Sequence, residues 1–244
     1  MTDQATGLPG SSPERRLTIS RMQAAVGRQM ADSKRTIPHF YVSTEIQMDD
    51  LLGALRELST VGDGEARISV TASLVYLLAQ TLAEHEAFTA AWTPDGYVLA
   101  DGIHVGVAIA LDGGLLAPAL RNCHGLDLVG TARALDDLVI RAKAGRLRAS
   151  ELGSATFTLS NLGVFDVTSF AAIIPAPQVG ILAVGRAIRR PWVDGSNIVI
   201  RSVMSATLSA DHRAVDGAQA ARFLSSFKAR VESFAADLSQ GIGI

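Results

Sequence analysis

A single cysteine, Cys123, is all the thiol chemistry this 244-residue chain offers. One cysteine makes neither an intramolecular disulfide nor a cysteine-based zinc site, so packing is its expected role and a reducing cytoplasm the compartment that suits it. Strong charge of either sign is also missing. The 22 Lys and Arg are interleaved with 24 Asp and Glu for a net charge of -2, which offers no basic field to nucleic acid or an anionic membrane. Residues 70–83 and 171–184 are the most apolar stretches, and they are too short or too proline-interrupted for an uncharged membrane span of about 20 residues. The opening MTDQATGLPGSSPERR lacks an apolar core, so it is no secretory signal, and residues 1–16 are expected to form a disordered arm. GxGxxG, P-loop and GxSxG elements are absent, which argues against a nucleotide fold or a nucleophile-elbow hydrolase. His39, His85, His104 and His124 show no HxxxH or HxxE spacing, so no metal site is expected.

What is present is apolar. With 48% hydrophobic and 19% charged residues, the chain can bury the core of one large domain or of two fused lobes. Ile19, Met22, Val26 and Met30 recur at helical spacing over 17–34, and Thr36-Ile37-Pro38 ends that helix. HFYVSTEIQM alternates as a strand, and Asp49-Asp50 opens a helix to Leu58. Residues 70–84 predict a helix that is apolar around most of its circumference and therefore buried. Strands are predicted over 102–110 and 115–120 about the Asp112-Gly113-Gly114 turn, then a helix over 126–144 closed by Gly145. Three more strands are read over 156–159, 178–184 and 203–208, the last two joined through Asp194-Gly195, before a final helix over 217–236. The simplest arrangement is an α+β domain over 17–244, with helices on one face of a mixed sheet.

Polar chemistry concentrates in two places. In LSADHRAVDG a strand runs out at Ser209 and a helix begins near Gly217, leaving His212, Arg213 and Asp216 in the connection. A histidine there suits a general base, since it accepts and returns a proton near neutral pH. The same spacing equally suits a surface loop in which Asp216 caps the following helix. In TFTLSNLG, Ser160 is placed to donate a hydrogen bond to a developing oxyanion, and Ser-Asn-x-Gly is also ordinary turn chemistry.

Taken together the motifs carry a resemblance. DHRAVDGAQAARFL resembles the C-terminal His-Arg-x-x-Asp-Gly signature of the acyltransferase component of 2-oxo acid dehydrogenase complexes, shared in shorter form with chloramphenicol acetyltransferase. TFTLSNLGVFDVTSFAAIIPAPQVGILAVG is similar to the family's oxyanion strand and following hairpin, and SRMQAAVGRQMADSKRTIPHFYVSTEI to its opening helix and strand, so that about residues 17–235 are covered in order. The resemblance implies a chloramphenicol acetyltransferase-like fold and direct acyl transfer from coenzyme A. It makes His212 the base, Ser160 the oxyanion donor and Asp216 the residue that holds the histidine loop. It also carries over Arg56, Ser69, Asp112, Asn161 and Gly185, together with Ser160, as coenzyme A contacts. A homotrimer is implied, with active sites at subunit interfaces.

Three departures from the family pattern shape the expectation. The sequence shows no lipoyl domain, and so no covalent lipoyl group, ahead of Arg16, which fits a piece of a longer chain as well as a free-standing enzyme; Phe165-Asp166 replaces a small element after the oxyanion turn; and FAADLSQGIGI lacks a leucine-rich anchor for joining trimers. The reading that follows is a cytoplasmic, stand-alone trimer that acetylates a small-molecule hydroxyl, as in specialised metabolism, and stops at three subunits. The alternative is a dihydrolipoyl acyltransferase acting on a lipoyl domain supplied in trans. A scaffold without chemistry is disfavoured, because His212, Ser160 and Asp216 are all retained.

Overall fold

The computed structural model describes residues 18–61, 68–111 and 114–239. The arm read over residues 1–16, Asp112 and the last five residues lie outside them. The chain opens with α1 (Arg21–Thr36), capped by a reciprocal Ser20–Gln23 pair, and continues through β1 (His39–Gln47), α2 (Asp49–Val61) and α3 (Val70–Glu84). A short ribbon, β2 (Ala91–Thr93) and β3 (Gly96–Val98), precedes β4 (Val105–Val107), β5 (Ile109–Leu111), β6 (Gly114–Leu116) and β7 (Ala119–Leu120). After α4 (Leu128–Lys143) come β8 (Phe157–Asn161), β9 (Gly180–Val184), β10 (Ile188–Asp194) and β11 (Asn197–Asp211). The described chain ends in α5 (Gly217–Glu232) and α6 (Phe234–Ser239).

The main sheet runs β1-β11-β9-β8-β4-β7, with β10 added to the far end of β11. β8 pairs in parallel with β4 and β9, and the other pairings are antiparallel. Alternation divides the two faces. Leu159, Leu182 and Leu208 lie level across β8, β9 and β11 and enter the core under the helices. One residue on, Ser160, Ala183, Thr207 and Ser43 form a row on the opposite face, where the Ser43 and Thr207 hydroxyls meet at 2.9 Å. α3 is buried from Ala72 to Leu82, as its all-round apolar sequence requires, and packs against α4 and α5.

The sequence expectations need four corrections. The predicted strand over 102–110 breaks at Ala108: β4 stays in the main sheet, while β5 leaves it to pair with β6. The strand expected over 115–120 breaks at Ala117-Pro118, where proline has no N–H to give a ladder. The strands at 180–184 and 197–211 are not joined by a turn alone, because β10 intervenes; Asp194-Gly195 closes the β10–β11 hairpin, with Gly195 at φ +58°. The last helix stops at Ser233 and restarts as α6. The apolar stripe of α1 also faces elsewhere than a core: Ser33 is its buried residue, donating to the Ile174 carbonyl at 2.5 Å, while Val26 and Met30 border a cleft.

At the centre of the core Phe88, Phe157 and Phe223 form an aromatic cluster, with ring centroids 4.5 Å apart for Phe88–Phe223 and 5.6 Å for Phe157–Phe223. Gly180 makes room for it, since a Cβ there would stand 2.7 Å from the Phe157 ring. Phe223 joins α5 to the sheet through this cluster. Phe223→Ala is therefore expected to cost about 3–5 kcal/mol in urea unfolding, and a loss under about 1 kcal/mol would show that the site refills.

Candidate active site

His212 stands just past the end of β11, exposed, with its backbone N–H donating to the Pro38 carbonyl at 3.1 Å. Its ring lies 4.6 Å from that of Phe40 on the neighbouring β1. The residue before it, Asp211, is fully buried (0% exposed), and a buried carboxylate has to be paired. Arg213 supplies the partner: Nε reaches Oδ1 at 2.9 Å and Oδ2 at 3.2 Å, and an Nη reaches Oδ2 at 2.6 Å. The Arg213 N–H also donates to Asp211 Oδ1, and the N–H groups of Ala214 and Val215 close a turn on the Asp211 carbonyl. His212 thus sits at the tip of a turn pinned from within. Asp216 does a different task. It caps α5, accepting from the Gln219 N–H at 2.7 Å while the Gln219 side chain accepts from the Asp216 N–H. The helix-capping alternative is therefore realised for Asp216, and the side chain that grips the histidine turn within the chain is Asp211.

Ser160 lies on the face of β8 away from the helices and borders a cleft of about 490 Å³. Val26 and Met30 of α1, Leu115, Phe165, Phe170 and Ile181 make this cleft mostly apolar. Thr158 and Gln178 are polar exceptions, and the Thr158 hydroxyl donates to the Gln178 side-chain carbonyl at 2.8 Å. Phe165 is exposed beside the cleft, and Asp166, held at φ +59°, has its charge answered by Arg186. Ser160 is only 8% exposed, so an oxyanion beside it would be largely shielded from bulk water.

The sheet register fixes the distance between the two groups. Ser160 is level with Ala183, and Ala183 with Thr207, so His212 lies five residues further along β11 and two strands away. At normal strand spacings that is on the order of 15–20 Å. Within one chain they do not meet.

Among the expected coenzyme A contacts, the structure gathers Ser69, Asn161 and Gly185 near Ser160, where β8 and β9 end and α3 begins. Ser69 caps α3, accepting from the Ala72 N–H at 3.1 Å. The Asn161 amide donates to Thr71 Oγ1 at 3.1 Å and accepts from the Gly163 N–H at 2.8 Å. Gly185 has a packing reason to be glycine, because a Cβ would fall 2.0 Å from the Thr168 carbonyl oxygen. Arg56 is exposed on α2, and Asp112 lies outside the described residues. Cys123 is buried, donates to the Leu120 carbonyl, and has its thiol pushed up to about 11 by burial, which suits packing rather than reaction.

Residues 11–238 match the family model of the 2-oxoacid dehydrogenases acyltransferase catalytic domain. The chain belongs to this family. The chain is 35% identical over 233 residues to the dihydrolipoyllysine-residue acetyltransferase component of the pyruvate dehydrogenase complex of Zymomonas mobilis, covering 95% of this chain and 53% of that protein. The corresponding component of Rickettsia felis is 34% identical over 216 residues, covering 88% and 52%. The chain therefore spans about half the length of the curated relatives it matches. Among solved structures, a probable dihydrolipoamide acetyltransferase from Listeria monocytogenes superposes with a TM-score of 0.87 at 28% identity, covering 91% of this chain and 96% of its own. The dihydrolipoamide acetyltransferase of Azotobacter vinelandii, where a serine, a histidine and an asparagine were studied for their role in the catalytic mechanism, gives 0.87 at 26%, covering 95% and 100%. Chloramphenicol acetyltransferase, at 0.55 and 19% over 85% of this chain and 94% of its own, shows the shared α+β fold.

One titratable neighbour of the histidine turn yields a test. His39 faces Asp211 across β1 and β11; its Nε2 accepts from the Ile174 N–H at 3.1 Å, so Nδ1 carries the proton and donates to the Ile37 carbonyl at 2.9 Å. Only the neutral ring makes both bonds. Burial, foremost, lowers its pKa from 6.5; the Ile37 bond opposes this, Lys34 lowers it and Asp211 raises it. Because the folded value is the lower one, the stability due to neutral His39 is complete above 6.5 and is lost as pH falls through the folded value. His39→Gln should flatten that part of the stability–pH profile, and an unchanged profile would assign the acid sensitivity to other groups.

Proposed function

We propose that this domain moves a short acyl group, acetyl above all, between coenzyme A and a dihydrolipoyl thiol, so that the lipoyl-directed alternative replaces the free hydroxyl as acceptor. The observation that carries this is similarity along nearly the whole domain to dihydrolipoyllysine-residue acetyltransferases, at 34–35% identity. The likeness to chloramphenicol acetyltransferase is one of fold alone. Ser160 and His212 are the residues we assign to the reaction, with Asp216 holding the histidine loop by anchoring its end to α5. In the Azotobacter vinelandii enzyme the asparagine studied lies four residues after the histidine, the position that Asp216 holds after His212 here.

The chemistry follows from general-base assistance. His212 takes the proton of the attacking thiol, whose sulfur adds to the thioester carbonyl, and the Ser160 hydroxyl donates to the oxygen as it gains negative charge. The tetrahedral intermediate collapses by breaking the original carbon–sulfur bond, and His212 returns its proton to the departing thiolate. No acyl-enzyme is formed. The groups near Ser160 suit coenzyme A, since the N-terminus of the long helix α3 favours phosphate oxygens and the apolar cleft wall suits a pantetheine or acyl chain.

The separation of roughly 15–20 Å that the register implies between Ser160 and His212 makes one copy insufficient for this mechanism. We place His212 of one chain against Ser160 of another in a closed homotrimer, where cyclic symmetry completes three sites at once. The test uses acetyl-CoA with free dihydrolipoamide and, separately, with small alcohols. Dihydrolipoamide should be preferred by at least about 100-fold in kcat/KM, roughly 2.7 kcal/mol of transition-state discrimination; preference for an alcohol would restore the hydroxyl reading. His212→Ala should lower kcat by about 10² to 10⁴, and Ser160→Ala by about 10² to 10³ with little change in KM. Mixing the two inactive variants after dissociation and reassembly should restore part of the activity, and a fully active monomer would sink the shared site.

A further inference from the structure

Beside the histidine turn the β2–β3 ribbon presents an aromatic face. The Arg213 guanidinium carbon lies 4.7 Å from the centre of the Trp92 ring. Trp92 is itself fixed from elsewhere: its backbone N–H donates to the Pro177 carbonyl at 3.2 Å, Ala91 bridges to Gln178, and Tyr97 stands against the indole with ring centroids 5.9 Å apart. We propose that Trp92 is a positioning residue for His212, acting through Arg213 and Asp211. This rests on the assignment of His212 as the base.

Asp211 is sealed from water, so its partner must stay in place, yet Arg213 is on a long, flexible stem with 29% of its side chain exposed. Its N–H edge is spent on Asp211, and Trp92 covers a ring-like face from which water would otherwise hydrate the guanidinium. With the indole gone, Arg213 gains rotamers and solvent partners, and its grip on Asp211 loosens. The same carboxylate accepts from the Arg213 N–H inside the turn that carries His212, so the turn keeps its main-chain bonds but loses this side-chain tie, and the imidazole against Phe40 is held less firmly. A base misplaced by about an ångström can cost up to about 10² in rate.

The test compares Trp92→Ala, Trp92→Phe, Trp92→Leu, Arg213→Lys and the Trp92→Ala/Arg213→Lys double variant in acetyl transfer from acetyl-CoA to dihydrolipoamide. Trp92→Ala should lower kcat by about 10- to 100-fold with KM for both substrates within about twofold. Phe, which keeps a π face, should recover most of the loss, while Leu should not. Since both changes cut the same link, Trp92→Ala should add no more than about twofold in the Arg213→Lys background. Wild-type kcat in Trp92→Ala, a loss confined to KM, or full additivity would each overturn the proposal. Should the alanine variant fail to fold by circular dichroism, the contrast between Phe and Leu decides it. His212→Ala, assayed alongside, separates the two ideas: its survival removes the base assignment and this inference with it, whereas its inactivity beside an unaffected Trp92→Ala removes this inference alone.

Discussion

Strand β11 is shared along its length by three neighbours: its first half pairs with β10, its second with β1, and residues 206–210 also with β9. Its register therefore decides which side chains of the sheet are buried under the helices. Met204, Ala206, Leu208 and Ala210 go to the core, while Thr207, Ser209 and Asp211 go to the other face. A slip of one residue would invert every one of them and press a carboxylate toward the phenylalanine cluster. The aromatic core and the position of His212 are thus set by one pairing.

The second face has a logic of its own. Its small hydroxyl residues are covered by the loop between β8 and β9, which receives hydrogen bonds from Ser209 at the Ala172 carbonyl and from Ser33 at the Ile174 carbonyl. Buried hydroxyls matched to carbonyls cost little, whereas unmatched ones would cost on the order of 1–3 kcal/mol each. A surface of that kind can be dry and polar at once. That is the environment in which a serine hydroxyl is worth most to a developing oxyanion, because little water competes for it.

Much of this was legible in the residues. The buried helix α3, the turn at His212 and the strand carrying Ser160 follow from apolar runs and from polar residues clustered between them. What the sequence hides is pairing at long range. β5 and β6 read as parts of longer strands because Ala108 and Ala117 resemble their neighbours in polarity, and only the partners of each half separate them. β10 is obscured by Arg189-Arg190-Pro191, which is edge-strand chemistry rather than a hydrophobic run. Asp211 was in plain view beside His212, but its zero exposure depends on Val179, whose carbonyl takes its N–H, and on Arg213 folding back over it. Trp92 gave no signal, since three-residue strands have no periodicity to read.

If His212 is the base and Ser160 the oxyanion donor, as proposed, their placement at opposite ends of the sheet has a physical benefit. Each group is held by its own rigid surroundings: Ser160 in the parallel ladder with β9, level with Ala183, and His212 between Phe40 and a turn locked by a bidentate ion pair. Neither has to be accommodated within the other's packing, and neither needs a flexible loop to reach its position. The accuracy of a site assembled from two such ends then depends on the interface that brings them together, and a closed ring fixes that interface the same way at every junction. The cost, in the proposed ring, is that the fold of one chain, however stable, makes no complete site. Activity in such a design follows the concentration of assembled rings rather than of folded chains, so dilution should remove turnover before it removes structure.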